Sequence, residues 1–273
     1  MRMNQDIDKE LLKTAVTAGR LAGEIIMKNL GGLAPEEIQT KQAFDFVTKV
    51  DKWSEAVIMQ TIRDKYPTHL FLSEEMLKQE ADKGYRWIID PLDGTTNFIH
   101  SYPMFSVSIG LEFNGEIIMG VVFDPVRDEL FHAIKGKGAY LNNAPVRVSD
   151  TGKADRALVA TGFPFRRKEL IDPYIGLFKR VFHDVADLRR AGSAALDLAY
   201  VACGRLDGFF EFALSPWDIA AGSLLIIEAG GLISDFGGGA SYLETGNIAA
   251  GNKALHGILV GHIRSVCAGI IDR

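Results

Sequence analysis

The chain has 273 residues, of which 47% are hydrophobic and 24% charged, as is typical of a globular protein with a substantial core. Its formal net charge of −5 argues against a nucleic-acid-binding surface, which needs a basic patch, so we expect no direct nucleic-acid binding. No apolar run reaches the roughly 18 residues that cross a bilayer, and Asp6, Asp8 and Glu10 argue against a secretory signal, so we expect a cytoplasmic protein without a membrane segment.

Hydrophobic periodicity and turn signals predict the elements of the first half. Apolar residues at helical spacing predict a helix over residues 7–30 and a second helix over 52–65, which Tyr66-Pro67 ends. The stretch 39–44 between these helices is predicted to be a mobile loop. Asn114-Gly115 predicts a tight hairpin between two strands. The strands predicted in this half are 69–73, 86–90, 105–113, 116–124, 129–134 and 139–141.

Helices and strands alternate in the predicted second half. The predicted strands are 157–161, 207–212, 232–235 and 248–250, and the predicted helices are 170–182, 193–203, 217–229 and one that begins at about 253. No linker-like stretch and no internal repeat separates these elements. Such successive blocks predict sheets and helices layered in one globule.

The most informative stretch is residues 87–98, with the sequence WIIDPLDGTTNF. An apolar strand delivers Asp90 at its end, and Pro91 holds Asp90 in an extended conformation because its ring disfavours the α region for the preceding residue. Gly94 permits a sharp turn of the backbone. Asp90 and Asp93 are therefore predicted to lie on one rigid turn.

This turn offers the ligands that a hard cation prefers. The Leu92 carbonyl lies between the two carboxylates, and Mg²⁺ binds carboxylate and carbonyl oxygens. The helix that Thr95 or Thr96 can cap would point its first N–H groups at the site and favour a phosphate there. A hydrogen-bonded surface turn is the competing interpretation. The apolar strand before the turn and the hydroxyls after it favour a ligand site.

Four segments in this order resemble the signatures of the inositol monophosphatases. They are residues 45–51 (DFVTKVD), 73–75 (SEE), 87–98 followed by His100, and 217–222 (WDIAAG) followed by 228–231 (EAGG). The sequence is most similar to the bacterial inositol-1-monophosphatases, which share residues 160–165 and 192–200. The resemblance implies an α/β layered αβαβα sandwich, the fold of the sugar phosphatases. It also implies a single domain, 1–273, with two lobes of about 1–150 and 151–273.

The resemblance implies a metal site with two or three Mg²⁺ ions. By this resemblance Glu74 binds one ion and orients the attacking water, Asp90 bridges two ions, the Leu92 carbonyl completes the first site, and Asp93 and Asp218 hold the second. Like charges about 4 Å apart repel by about 4 kcal/mol at an effective dielectric of about 20, so clustered carboxylates need protons or metal ions. Bound cations would also explain how an acidic protein receives an anionic phosphate.

Further roles follow from the same resemblance. Thr95 helps to position the nucleophilic water and is supported by the carboxylate of Asp45. Taken singly, Glu74 beside Glu75 could be a solvated charge pair, Asp218 could complement a helix dipole, and Asp45 could cap a turn. The residues implied to contact the substrate are Asp93, Gly94, Thr95, Gly192, Ser193, Ala194 and Glu211, although Glu211 could also be a charge that ends a strand.

The implied function is hydrolysis of inositol 1-phosphate and related sugar phosphates by a Mg²⁺-dependent, lithium-sensitive, cytoplasmic homodimer. Ser215 and residues 163–165 depart from the animal enzymes, which often carry His and a polar loop there, and this argues against strict inositol specificity. Alternative substrates are fructose 1,6-bisphosphate, histidinol phosphate and adenosine 3′,5′-bisphosphate. An alternative of another class is a regulatory partner of RNA polymerase in ribosomal RNA synthesis.

Other signals are interpreted as structural. Cys203 and Cys267 lack metal-ligand spacing, and reduced, packed thiols are expected. Residues 136–138 (GKG) lack the full phosphate-loop spacing and predict a turn. The basic pairs Arg166-Arg167 and Arg189-Arg190 are assigned to a solvated face or subunit contact, with a phosphate or protein contact as the alternative. The carboxylates of the 87–98 turn are spaced differently from those of aspartyl-phosphate phosphatases, so no covalent intermediate is expected.

Overall fold

The computed structural model describes residues 5–42, 45–76, 79 and 83–267. The helices are α1 (Gln5–Asn29), α2 (Lys49–Arg63), α3 (Thr95–Ile99), α4 (Ile171–Asp184), α5 (Ala194–Ala202), α6 (Pro216–Glu228), α7 (Tyr242–Thr245) and α8 (Lys253–Val266). The strands are β1 (Ile38–Gln42), β2 (Asp45–Thr48), β3 (Leu70–Ser73), β4 (Tyr85–Asp93), β5 (Ser106–Phe113), β6 (Glu116–Asp124), β7 (Glu129–Ile134), β8 (Ala139–Leu141), β9 (Ala144–Val146), β10 (Leu158–Thr161), β11 (Asp187–Arg189), β12 (Gly208–Glu211), β13 (Leu232–Ser234) and β14 (Ile248–Gly251). Each predicted helix and strand is present, with its ends shifted by a few residues.

The larger sheet comes from the first half of the chain. Within the described residues it contains seven strands in the order β3-β4-β5-β6-β7-β8-β9. β3 runs parallel to β4, and the other neighbours are antiparallel. The predicted hairpin between β5 and β6 is confirmed: Asn114 and Gly115 both have positive φ, 52° and 83°, which these residue types adopt with little strain.

The smaller sheet comes from the second half. Its strands, in the part of the chain that the structure describes, are ordered β11-β10-β12-β14-β13. β10 is parallel to β11 and β12, whereas β14 is antiparallel to β12 and β13. Consequently β10 and β12 end at the same edge of the sheet, and the residues that follow them lie side by side.

Helices and sheets stack in alternating layers. α1 and α2 pack on the outer face of the larger sheet, α5 and α6 lie between the sheets, and α8 with α4 covers the other face of the smaller sheet. A hydrophobic cluster fills each interface. Leu11 and Trp87 belong to the first cluster, Leu198 and Ile219 to the second, and Leu259 to the third. The fold is therefore the predicted αβαβα sandwich.

α6 approaches the larger sheet very closely because glycines face it. A Cβ on Gly120 would lie 2.6 Å from the Ala221 carbonyl oxygen, and one on Gly110 would lie 2.9 Å from the Ala220 Cβ. At the start of the helix the Ser108 hydroxyl donates to the Trp217 carbonyl at 3.1 Å. These contacts fix the first turn of α6 against the sheet.

The predicted loop at 39–44 is corrected in part. Residues 38–42 form β1, which pairs antiparallel with β2, with Ile38 opposite Thr48. The segment IQTKQ is polar after Ile38, and Gln39 and Thr40 are exposed, so no apolar period marks it as a strand. Backbone pairing to β2 provides the extended conformation instead. Residues 43 and 44 lie outside the described part of the chain.

The division into two lobes stays a prediction. The strands of the larger sheet lie within residues 70–146 and those of the smaller sheet within 158–251, and α5 and α6 contact both. Among the described residues no helix is both long and apolar enough to cross a bilayer. Cys203 and Cys267 are free thiols.

Candidate metal centre and active site

A cavity of about 320 Å³ lies where β4, β10 and β12 end and where α5 and α6 begin. Strand ends and helix starts are where ligands gather in α/β proteins. Every residue assigned to the site from the sequence lines this cavity: Asp45, Glu74, Asp90, Leu92, Asp93, Gly94, Thr95, Gly192, Ser193, Ala194, Glu211 and Asp218. The folding of the chain thus brings residues from distant segments to one place.

Asp90, Asp93 and Asp218 form a buried acidic cluster. One carboxylate oxygen of each lies within 4.8 Å of the others. Asp93 is held by α5, since its Oδ2 accepts hydrogen bonds from the Ser193 hydroxyl at 2.6 Å and the Ala195 N–H at 2.8 Å. Asp218 lies in the first turn of α6 and accepts from the Ser215 N–H at 2.7 Å. The cluster is therefore rigidly positioned.

The electrostatics of this cluster call for positive charge. Burial, followed by repulsion from neighbouring carboxylates, raises the pKa of Asp90 well above its usual range. Burial raises the pKa of Asp93 to about 6, although hydrogen bonds from Ser193 and Ala195 oppose the rise. The pKa of Asp218 is raised to about 7 by burial and by the charge of Asp93. Each carboxyl would ionise more readily beside a cation.

The donor set fits a hard divalent cation. The cluster offers carboxylate oxygens only, and the Leu92 carbonyl lies in the same cavity wall, which matches the oxygen preference of Mg²⁺. A bound cation would relieve the repulsion that raises these pKa values. Asp90, Asp93, Asp218 and the Leu92 carbonyl could therefore hold Mg²⁺.

Glu74 enters the cavity from the segment after β3. Its N–H donates to the Ile89 carbonyl at 3.1 Å. The buried Glu55 of α2 fixes the surrounding backbone, because its carboxylate accepts hydrogen bonds from the Ser73 hydroxyl at 2.6 Å, the Glu75 N–H at 2.9 Å and the Met76 N–H at 2.8 Å. Sequence reasoning missed Glu55, although a carboxylate among the apolar positions of α2 could have indicated it.

In the structure the Thr95 hydroxyl contacts Asp51, not Asp45 as assigned from the sequence, and a catalytic role of Asp45 stays a prediction. The Thr95 hydroxyl donates to Asp51 Oδ1 at 3.0 Å and lies 3.2 Å from the Leu92 carbonyl oxygen. Asp51 is at the third position of α2. Its Oδ2 accepts hydrogen bonds from the Thr48 N–H and hydroxyl, and these bonds orient the carboxylate towards the turn at the end of β4. Asp45, at the start of β2, pairs with Arg166 instead. Burial raises the pKa of Asp51 to about 6.

Two cations face Glu74, and neither was assigned to the site from the sequence. Lys41 of β1 pairs with Glu75 and lies 3.0 Å from Glu74 Oε1. Arg166 Nη2 lies 3.3 Å from the same oxygen and 3.2 Å from Asp45 Oδ1. Sequence reasoning left a phosphate contact for the Arg166 pair open only as an alternative.

The cavity also carries a second pair of buried carboxylates, Glu211 and Asp197. Glu211, at the end of β12, packs against Gly162, where a Cβ would lie 1.9 Å from Oε1. Asp197 of α5 lies in the same wall. Burial, followed by neighbouring negative charge, raises both pKa values well above the usual range, and Arg190 opposes the rise. Asp197 and Arg190 were not assigned to the site from the sequence.

Comparisons with known proteins cover nearly the whole chain. Residues 7–268 match the model of the Inositol monophosphatase family. Nus factor SuhB of Escherichia coli (strain K12) is 48% identical over 264 residues, which is 96% of this chain and 99% of that protein.

Solved structures share the layered fold. The structure of extragenic suppressor protein suhB from Bartonella henselae has a TM-score of 0.90 and 38% identity and covers 93% of this chain and 98% of its own. Inositol monophosphatase from Anabaena (Nostoc) sp. PCC 7120 has a TM-score of 0.84 and 41% identity, covering 94% of this chain and 96% of its own. These likenesses confirm the predicted fold class.

Proposed function

We propose that this chain, which belongs to the inositol monophosphatase family, is a Mg²⁺-dependent phosphomonoesterase. Its proposed substrates are inositol 1-phosphate and related sugar phosphates. The observation that carries the proposal is the convergence of Glu74, Asp90, Asp93 and Asp218 on one cavity. A hydroxyl of the kind that can position water, that of Thr95, lies in the same wall.

In this proposal Asp90, Asp93, Asp218 and the Leu92 carbonyl hold Mg²⁺, with Glu74 as a further ligand. Bound Mg²⁺ supplies positive charge to the phosphate and lowers the pKa of coordinated water. The carboxylates of Asp93 and Asp218 carry out the positioning, since hydrogen bonds from Ser193, Ala195 and Ser215 leave them little freedom. A carboxylate without such hydrogen bonds would have to lose conformational freedom during the reaction, which would raise the barrier.

Thr95 and Asp51 are proposed to orient the attacking water. The Thr95 hydroxyl donates a hydrogen bond to Asp51. The Thr95 oxygen therefore remains free to accept a hydrogen bond from the cavity. A water molecule that donates to this oxygen presents a lone pair to phosphorus. The water oxygen then forms a bond to phosphorus as the bond from phosphorus to the sugar oxygen breaks. The attacking water gives up one proton, and the leaving sugar oxygen takes one up.

The part of the cavity wall that carries Glu211 and Asp197 favours a neutral polyol. Buried carboxylates accept hydrogen bonds from hydroxyl groups, and Glu211 and Asp197 offer such acceptors beside the proposed contacts at Gly192, Ser193 and Ala194. Because burial raises the pKa of both carboxyls and disfavours charge at this wall, these groups suit neutral hydroxyl partners better than a second, dianionic phosphate group. This supports the monophosphate of a polyol over fructose 1,6-bisphosphate and adenosine 3′,5′-bisphosphate.

A phosphate-release assay tests the function. The full chain is incubated with inositol 1-phosphate, histidinol phosphate and the two bisphosphates, with Mg²⁺ and after treatment with a chelator. We expect Mg²⁺-dependent release that is fastest with inositol 1-phosphate and is inhibited by lithium. Asp93→Asn should lower kcat at least about 10²-fold, the size of effect that removal of an electrostatic catalytic group produces. Full activity in the chelated protein would overturn the proposal.

A second candidate function is favoured by one comparison. The E. coli relative, 48% identical over almost its entire length, is named a Nus factor. We therefore also propose that this chain is a regulatory partner of RNA polymerase in ribosomal RNA synthesis. An intact hydrolytic site does not conflict with such a role. Pull-down of purified polymerase by the Asp93→Asn variant would support it, and no retention by either the variant or the wild type would reject it.

The proposed setting is a cytoplasmic homodimer. Light scattering on the purified chain, whose mass is 29.9 kDa, distinguishes a monomer from a dimer. A mass of one chain across the accessible concentration range would reject the dimer.

A further inference from the structure

Arg166 and its neighbour Arg167 carry the same charge but differ in exposure and in ion-pair partners. The Arg166 side chain is 26% exposed and lines the cavity, within 3.3 Å of carboxylate oxygens of both Asp45 and Glu74. The Arg167 side chain is 57% exposed and pairs with the exposed Glu169. The local sequence therefore directs one of two adjacent guanidinium groups into the site.

The ring of Phe165 supports the buried guanidinium. Arg166 Cζ lies 5.0 Å from the centre of this ring, which also lines the cavity. Arginine stacks on aromatic faces with its N–H edges free for other contacts. The ring thus allows the guanidinium to shift within its plane without losing the stacking contact.

One oxygen of Glu74 has competing partners. Glu74 Oε1 accepts from Arg166 at 3.3 Å and from Lys41 at 3.0 Å. A metal ligand donates the same oxygen lone pairs to its cation, and a divalent ion repels a guanidinium beside it. Metal coordination by Glu74 and the Glu74–Arg166 contact therefore oppose each other.

The present position of Arg166 leaves a donor unused. Arg166 Nε is buried and has no hydrogen-bond acceptor among the described residues. An unpaired buried donor is unfavourable, so the ion pairs must hold the guanidinium in this position. A guanidinium displaced from Glu74 gains most from an acceptor with several oxygens that matches its planar fork, and a phosphate group is such an acceptor.

We propose that Arg166 is a substrate-binding residue whose guanidinium pairs with Glu74 until a metal ion binds there and then binds the phosphate group of the substrate. The substrate half of this statement rests on the proposed phosphatase function. The metal half rests only on Glu74 being a metal ligand.

Titration calorimetry on the full chain tests the metal half. Protein freed of metal with a chelator is titrated with Mg²⁺ as wild type, Arg166→Met and Arg167→Met. Without its competitor, Glu74 in Arg166→Met should bind Mg²⁺ about tenfold more tightly, equivalent to about 1.4 kcal/mol. Arg167→Met, the matched control, should retain the wild-type Kd. An unchanged or weaker Kd in Arg166→Met overturns the proposal, as does a wild type that does not bind Mg²⁺.

Titration with inorganic phosphate at saturating Mg²⁺ tests the substrate half. The phosphate Kd of Arg166→Met should rise about tenfold, equivalent to about 1.4 kcal/mol. Arg166→Lys, which keeps the charge but loses the fork, should retain the wild-type Mg²⁺ Kd and bind phosphate with an intermediate Kd. Equal phosphate Kd values in wild type and Arg166→Met overturn the proposal.

The two titrations separate this proposal from the proposed function. A residue with a merely structural role would weaken both the Mg²⁺ and the phosphate affinity when replaced, whereas the proposal requires changes of opposite sign. If the wild type hydrolyses no phosphomonoester, the phosphatase function fails, yet the Mg²⁺ and phosphate titrations still decide the role of Arg166. Arg166→Lys keeps the test decisive if Arg166→Met does not fold.

Discussion

At the level of single residues, two carboxylates of α2 orient groups that lie far from them in the sequence. Asp51 accepts the hydroxyl of Thr95, and Glu55 fixes the backbone on either side of Glu74. Neither side chain lies in the acidic cluster itself. Their effect on the site is exerted through the groups that they orient.

Replacement of Asp51 distinguishes its role from that of Asp45. Asp51→Asn weakens the acceptor of the Thr95 hydroxyl, so we expect kcat to fall about 10²-fold, the lower range for proton-handling groups, with the Mg²⁺ Kd little changed. Asp45→Asn leaves the Thr95 contact intact and should lower kcat much less. Steady-state kinetics on both variants provide the measurement. A larger loss of kcat in Asp45→Asn would restore the assignment made from the sequence.

The raised pKa values predict how stability depends on pH. Burial raises the pKa of Asp93 to about 6 and that of Asp218 to about 7, from 3.8. Between about pH 4 and pH 7 the folded protein therefore binds more protons than the unfolded chain, and its free energy of unfolding falls as pH rises. We expect the Tm of chelator-treated protein to be lower at about pH 8 than at about pH 6, and Mg²⁺ to reduce the difference. A Tm that rises over this interval in chelator contradicts the assignment.

Sequence reasoning succeeded where the geometry was local and failed where it was tertiary. Asp90, Asp93 and Leu92 belong to one turn, so their spacing was enough to predict a shared site. Asp45 and Asp51 lie in one family-like segment, and only the packing of α2 decides which of them meets Thr95. Likewise, adjacency along the chain does not reveal which arginine of a pair is buried.

At the level of elements, the contact between α6 and the larger sheet controls the position of Asp218. A Cβ at Gly120 would lie 2.6 Å from the Ala221 carbonyl oxygen, so Gly120→Ala must push α6 away from the sheet. We expect a loss of about 1–3 kcal/mol of stability, the usual result of overpacking a core, and a weaker Mg²⁺ affinity. Chemical denaturation and calorimetry measure the two effects.

Gly257→Ala is the matched control for that substitution. Gly257 lies inside α8, is exposed, and has no atom within 4 Å of the position of a Cβ. Alanine here should increase stability by about 0.5–1 kcal/mol because it favours the helix. Equal losses in the Gly120 and Gly257 variants would show that steric contact with α6 is not the cause.

Strand prediction shows the same dependence on burial. β5 and β6 were predicted with nearly the observed ends because apolar residues fill them and Asn114-Gly115 fixes the turn. β1 was missed because its residues are polar and its conformation comes from pairing with β2. β4 continues through Pro91 to Asp93, beyond the predicted end, and its register with β5 shifts between Asp90 and Asp93. An apolar pattern cannot signal such an irregularity.

At the level of the whole molecule, the shared helices predict cooperative unfolding. α5 and α6 contact strands of both sheets, so neither sheet can separate from these helices without disrupting the packing of the other. We expect one calorimetric transition and, at a Mg²⁺ concentration about 100 times Kd, a rise in Tm of about 5 °C from the linkage of binding to folding. Two separate transitions would instead indicate lobes that unfold independently. Asp218→Asn should lose most of the Mg²⁺-dependent rise.

Different segments of the chain supply the acidic cluster of the cavity and the wall proposed to contact the polyol. The acidic cluster is carried by β4 and α6, whereas the wall with Gly162 and Glu211 follows the ends of β10 and β12. Exchange of the β10 and β12 connections alone would therefore retune selectivity and leave the hydrolytic machinery in place. A scaffold arranged in this way suits laboratory evolution towards new phosphate esters, with libraries confined to residues 162–165 and 211–214.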